Sequence, residues 1–213
     1  MKKFALILVV AFTAPLFAQD IGELAPPKPP ATYPDNSWGV DLMFSEGGFG
    51  IGTFFRKQMT DNIKGFVDLS LSESKDEKEV EFSDFFGNKT TPGKQNRVFM
   101  LPLNFGVQYR LFTNQLTDNL RPYLTAGVGP TMVITTPYEK EFFSSFGKAK
   151  TKFATGGYIG LGANFGISKS NLVGLNVRYY YVRFFDDGVE NLENKFRKTI
   201  GGIYLSINVG IMY

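Results

Sequence analysis

From Gly202 to Tyr213 the chain alternates without a break. Ile203, Leu205, Ile207, Val209, Ile211 and Tyr213 fall on one side; Gly202, Tyr204, Ser206, Asn208, Gly210 and Met212 fall on the other. A period of two is the spacing of a β-strand whose two faces meet different surroundings. The same rhythm recurs upstream. Phe99, Leu101, Leu103, Phe105, Val107 and Tyr109 alternate with Met100, Asn104, Gly106, Gln108 and Arg110. Ile159, Leu161, Ala163 and Phe165 alternate with Tyr158, Gly160, Gly162 and Asn164, and Val173, Leu175, Val177 and Tyr179 with Gly174, Asn176 and Arg178. Weaker versions lie at 38–44, 49–57, 66–71 and 120–134. The spacing therefore predicts eight strands, with the register of the second left open because Phe54 and Phe55 give both faces an aromatic ring.

The connections sort by length. Turn-forming residues near Thr60-Asp61-Asn62, Thr113 to Asn119 and Ser168 to Asn171 make one short-to-moderate set. The other set begins with a short loop at Glu46-Gly47-Gly48 and continues with three long ones, about 73–97, 136–151 and 185–198. An even strand count, an apolar face, a small and polar face, and long loops at one end are the marks of a membrane barrel. Several strands reach the ~9–11 residues that a tilted membrane strand needs, and lipid forbids an open sheet edge. The expected fold is all-β: an eight-stranded antiparallel up-and-down transmembrane β-barrel over 38–213. Pro102 and Pro130 fall inside strand patterns, where proline removes a ladder donor. They are expected at the outer rim or at a bulge.

The first eighteen residues read as an export signal: Met1-Lys2-Lys3, the apolar run Phe4–Phe12, and a small residue, Ala18, before Gln19. The run is too short for a membrane-spanning helix. Residues 19–37 contain Pro26, Pro27, Pro29, Pro30 and Pro34 and are expected to form an extended periplasmic segment. Removing 1–18 takes away Lys2 and Lys3 and no acid, so the formal charge of +3 falls to +1. That balance argues against a nucleic-acid partner, which requires a concentrated basic face. The chain has no cysteine and no histidine. Disulfides, thiolate metal sites and Ser-His-Asp or Cys-His catalysis are thereby excluded, and neither a cofactor nor an enzymatic function is expected.

The segment Leu101-Pro102-Leu103-Asn104-Phe105-Gly106-Val107-Gln108-Tyr109, followed by Arg121-Pro122-Tyr123-Leu124-Thr125-Ala126-Gly127-Val128-Gly129, is similar to a recurring hairpin of small outer-membrane barrels. So is Tyr158 to Asn164 before Leu175 to Tyr179. The chain resembles the superfamily of small bacterial outer-membrane barrels that includes the OmpA membrane domain, OmpX and OmpW. The resemblance covers 38–213 and implies a place in the outer membrane, among its lipid and lipopolysaccharide. It also implies that the alternating end with its terminal aromatic (Ile207, Val209, Ile211, Tyr213) is the signal read by the barrel-assembly machinery.

Two roles follow for such a barrel. The first is porin-like passage of small molecules, hydrophobic ones if the OmpW resemblance holds, through a lumen lined by Asp41, Asp68, Asn104, Gln108, Arg110, Asn164, Asn176, Arg178 and Asn208. The competing reading of those residues is that opposite charges pair and plug the barrel. The second is a non-conducting surface barrel, with an adhesive or structural role carried by its long loops. There Phe82, Phe85, Phe86, Phe142, Phe143 and Phe146 are candidate contacts for a surface ligand; alternatively these rings pack on one another. Lys140, Lys148, Lys150 and Lys152 are placed to meet lipopolysaccharide phosphates or plain solvent. A soluble eight-stranded carrier of the lipocalin type stands against the one-sided long loops.

Overall fold

The computed structural model describes residues 34–75, 79, 82–83, 85, 89–113, 115–116, 119–139, 141–165 and 170–213. The expected export signal and most of the proline-rich segment lie outside these residues. Eight long strands form a closed antiparallel barrel: β1 (Asn36–Ser45), β2 (Gly48–Gln58), β3 (Ile63–Ser74), β6 (Asn96–Arg110), β7 (Leu120–Pro137), β8 (Lys150–Phe165), β9 (Asn171–Arg183) and β12 (Thr199–Met212). Each pairs with the next along the chain, and β12 returns to β1 from Ser37 opposite Met212 to Ser45 opposite Tyr204. Just past that ladder, the Asn36 and Tyr213 backbones exchange N–H···O bonds of 3.1 and 3.0 Å, completing the seam. Closure leaves no edge whose polar groups would face lipid.

Two ribbons, β4 (Phe82–Ser83) with β5 (Lys89–Thr90) and β10 (Val189–Leu192) with β11 (Lys195–Arg197), belong to the first and last long connections. The middle long connection holds a single helical turn, α1 (Phe142–Ser145), followed by a 3-10 turn. β7 runs 18 residues and β8 runs 16, against 10 for β1 and 11 for β2. The wall is therefore tall at the β7–β8 hairpin and low at the β1–β2 hairpin.

The alternation sets the two faces of the wall. Trp38, Val40, Ile51, Leu69, Phe105, Leu161, Val177, Leu205 and Val209 point outward and are exposed to whatever surrounds the barrel. The alternate positions point into the lumen and are buried. Phe54 faces inward and Phe55 outward, which fixes the register of β2.

The prolines depart from expectation. Both lie within long strands rather than at the rim, and neither makes a bulge. Pro102 opposes Thr131 and Phe105 opposes Val128 in one continuous register, while the pairs between them are missing from the ladder. On the other side of β6, the ladder with β3 skips from Leu69–Leu103 to Ser72–Met100. A proline cannot donate to a ladder, so here it opens a gap and leaves the register unchanged. Gly129 sits in that gap, and a Cβ built on it would lie 1.9 Å from the Leu103 carbonyl oxygen. Only glycine allows the backbones to approach that closely.

Candidate functional site

The lumen is filled in layers. Its middle is a polar network. The Arg178 guanidinium donates to Asp41 Oδ2 at 2.7 Å and lies 3.9 Å from Asp68. Asp68 also accepts from Asn104 Nδ2 at 2.9 Å and from the Tyr158 hydroxyl at 2.6 Å. Asn208 donates to Asp41, and Asn176 donates to Asn208. The Arg178 guanidinium also lies over the Tyr158 ring, 4.9 Å from its centroid. Six residues read from the sequence as lumen-lining (Asp41, Asp68, Asn104, Asn176, Arg178 and Asn208) thus come together from five different strands, all buried. One cation set between two carboxylates, each also accepting side-chain hydrogen bonds, is how a buried charge cluster becomes tolerable.

Toward the long loops the lumen turns apolar. Met43, Val98, Met100, Val133, Val182 and Ile200 pack there with a row of tyrosine rings, Tyr158 to Tyr180 at 4.8 Å and Tyr180 to Tyr204 at 5.1 Å. Glycines make room for inward rings. A Cβ on Gly106 would stand 2.2 Å from the Ala126 carbonyl and 2.4 Å from the Phe66 ring. Over this layer the first and last long connections interlock. Glu79 accepts from Asn191 Nδ2 at 2.6 Å and from Lys94 Nζ at 2.8 Å, and the Gln95 amide donates to the Asn191 carbonyl at 2.8 Å. Phe184, Val189 and Leu192 turn inward beneath them. Lys152 ties the last connection to β8 through Asp186 at 2.8 Å and the Gly188 carbonyl at 2.6 Å. The hydrogen bond from Lys152, with a second from the Gly188 amide, holds the Asp186 carboxyl below its usual range.

Toward the short turns the lumen opens into a vestibule of about 350 Å³ lined by Arg56, Lys64, Arg110 and Arg121 together with Asp35, Asp61, Gln108 and Asn164. The sequence-derived lumen candidates Gln108, Arg110 and Asn164 lie here rather than in the network. Nothing in the alternation singles out Arg56, Lys64 or Arg121 as lumen-lining. The register of β2 was ambiguous, and the other two stand beside turns, where a charge reads as solvated.

The loop aromatics divide. Phe142 and Phe146 pack against each other at 5.4 Å and against Phe99 of β6 at 6.1 and 5.9 Å. Phe143 touches Phe142 at 5.2 Å but is 87% exposed, and Phe85 is 99% exposed. Phe82 is exposed on β4, and Phe86 lies outside the described residues. Lys148 and Lys150 are exposed, while Lys152 is engaged by Asp186.

A closed barrel that is apolar outside and polar inside, with short turns at one end and long loops at the other, is a membrane-spanning barrel of the bacterial outer membrane. The model of the outer membrane protein beta-barrel domain matches residues 4–206, and the chain belongs to that family. No curated protein matches it. Among solved structures it is similar to Neisserial surface protein A, at 12% identity over 84% of this chain and 95% of that one, with a TM-score of 0.51. It is also similar to the N-terminal β-barrel domain of Pseudomonas aeruginosa OprF, at 14% identity over 84% and 97%, with a TM-score of 0.49. Escherichia coli outer membrane protein W matches at 11% identity over 85% and 98%, with a TM-score of 0.39. At such identities the likeness is one of fold. The long loops therefore face the cell exterior and the vestibule faces the periplasm.

Proposed function

We propose that this protein is a non-conducting surface barrel that works through its extracellular loops. The observation that carries this reading is the filling of the lumen: a charged network, an apolar layer and an interlocked loop cap follow one another along the axis. Between network and vestibule lies a cavity of about 10 Å³, roughly the room for one water. Eight strands leave an interior that side chains can fill, and beyond the vestibule the charged network and the apolar layer occupy it. What remains accessible from outside is loop surface, including Phe85, Phe143 and Phe185, each more than four-fifths exposed. Exposed rings of this kind mark contact sites for a ligand or a neighbouring surface.

The test is conductance of the refolded protein in a planar bilayer, with heat-modifiable gel migration as the check of folding. A folded barrel is expected to stay electrically silent. Reproducible unitary currents would overturn the reading in favour of porin-like passage of small molecules.

A further inference from the structure

We propose that the periplasmic vestibule is a binding site for a small phosphate-bearing anion. Four cations, Arg56, Lys64, Arg110 and Arg121, line one cavity with only two carboxylates, Asp35 and Asp61. Among the described residues, no ion pair joins Arg56, Lys64 or Arg110 to a carboxylate. Arg56 is buried, held over the Phe54 ring at 4.0 Å, and its Nη1 makes no hydrogen bond. The Arg110 Nε, the Tyr123 hydroxyl and the Ser37 hydroxyl on the same walls are likewise buried without a hydrogen-bond partner. Gathering like charges in a partly desolvated space is costly unless something of opposite sign meets them.

The donor set selects the ligand. The guanidinium groups of Arg56 and Arg110 and the Lys64 ammonium offer planar forks and a mobile point charge, the combination that matches phosphate oxygens. The volume of about 350 Å³ lies within the ~300–1,000 Å³ of small-molecule sites. Just inward of Arg56, among Phe54, Tyr123 and Arg178, lies a cavity of only about 10 Å³, and beyond it Arg178 is bound to Asp41 across the lumen. Ligand therefore enters and leaves on the periplasmic side, and the site is a dead end, separate from any passage across the membrane. The phosphate comes from one of two sources, a free periplasmic solute or the headgroup of a phospholipid in the inner leaflet.

The experiment titrates inorganic phosphate into the refolded full-length barrel in a maltoside detergent, at constant ionic strength against chloride, by calorimetry. Saturable binding is expected. Arg56→Gln and, separately, Arg110→Gln should weaken it at least tenfold, while Lys195→Gln in the extracellular β11 should leave it unchanged. Arg110 stands nearer the rim and is only partly buried, so its variant tests the site should Arg56→Gln fail to fold; heat-modifiable migration certifies each protein. No saturable binding to the folded protein, or binding that survives both substitutions, would overturn the proposal. Repeating the titration with phosphatidylglycerol in the micelle assigns the source: competition points to the lipid headgroup, undisturbed binding to the free anion.

Discussion

Val177 and Arg178 are neighbours in the chain and face opposite surroundings. Val177 points outward from β9, between Leu161 and Leu205 on the adjacent strands. Arg178 points inward between two carboxylates. The two positions therefore fail in different ways. Val177→Arg puts a charge against hydrocarbon and is expected to cost about 2–4 kcal/mol near the bilayer midplane. Arg178→Gln leaves Asp41 and Asp68 buried without their counter-charge, and breaking a buried pair from one side costs about 3–5 kcal/mol. Denaturant unfolding in lipid vesicles measures both. A Val177→Arg barrel as stable as the parent would contradict the register of β9. An Arg178→Gln barrel of unchanged stability would mean that the network holds nothing together. Parity alone separates these residues, so their facing is legible in the sequence. That Arg178 meets Asp41 is not: it depends on β1 closing onto β12 beside β9, a contact between residues 137 positions apart.

At the scale of the strand, the elements are unequally legible. β12 shows Ile203, Leu205, Ile207, Val209 and Ile211 in alternation, which places the body of the strand, although it starts at Thr199, ahead of the pattern. β2 does not, because Phe54 and Phe55 are consecutive, and only the neighbouring strands decide which ring turns inward. β6 and β7 carry prolines that the sequence places at the outer rim or at a bulge; instead, the pairing to either side holds one register across the gap. The closing strand has a property that pattern could not supply. Tyr213 contributes two backbone hydrogen bonds to Asn36 while its ring stays exposed on the outer face. Deleting the residue would remove seam and ring together, whereas Tyr213→Ala removes only the ring. If the terminal aromatic is the feature recognised during assembly, Tyr213→Ala should lower the amount of protein reaching the outer membrane in cells. The stability of the same variant refolded in vitro should change little. Cellular levels equal to those of the parent would separate the assembly signal from this ring.

Over the whole molecule, the barrel and its outer cap are held by different forces. The barrel rests on closed ladders and on an apolar exterior matched to lipid. The cap rests on a few polar ties, above all the buried one of Glu79 with Asn191 and Lys94 and the exposed one of Lys152 with Asp186. No alternation marks those ties in the sequence, since loop residues have no shared face and each tie joins distant segments. The Lys152–Asp186 tie is exposed, so salt screens it and its contribution is small, but its sign is definite. The Asp186 carboxyl in the folded protein lies below its usual range, whereas in an unfolded loop it returns to about 3.9. A depressed folded value stabilises the charged form, so the tie is fully present at neutral pH. It is lost as pH falls through the ordinary aspartate range and then through the lower folded value. Amide exchange across residues 184–198 should therefore speed up in acid, after correction for the intrinsic rate, while β9 and β12 stay protected. Lys152→Gln should bring exchange at neutral pH closer to the acid rate and flatten the pH dependence. A cap whose protection is the same in the parent and in Lys152→Gln across that range would show that the interlocked loops alone hold it.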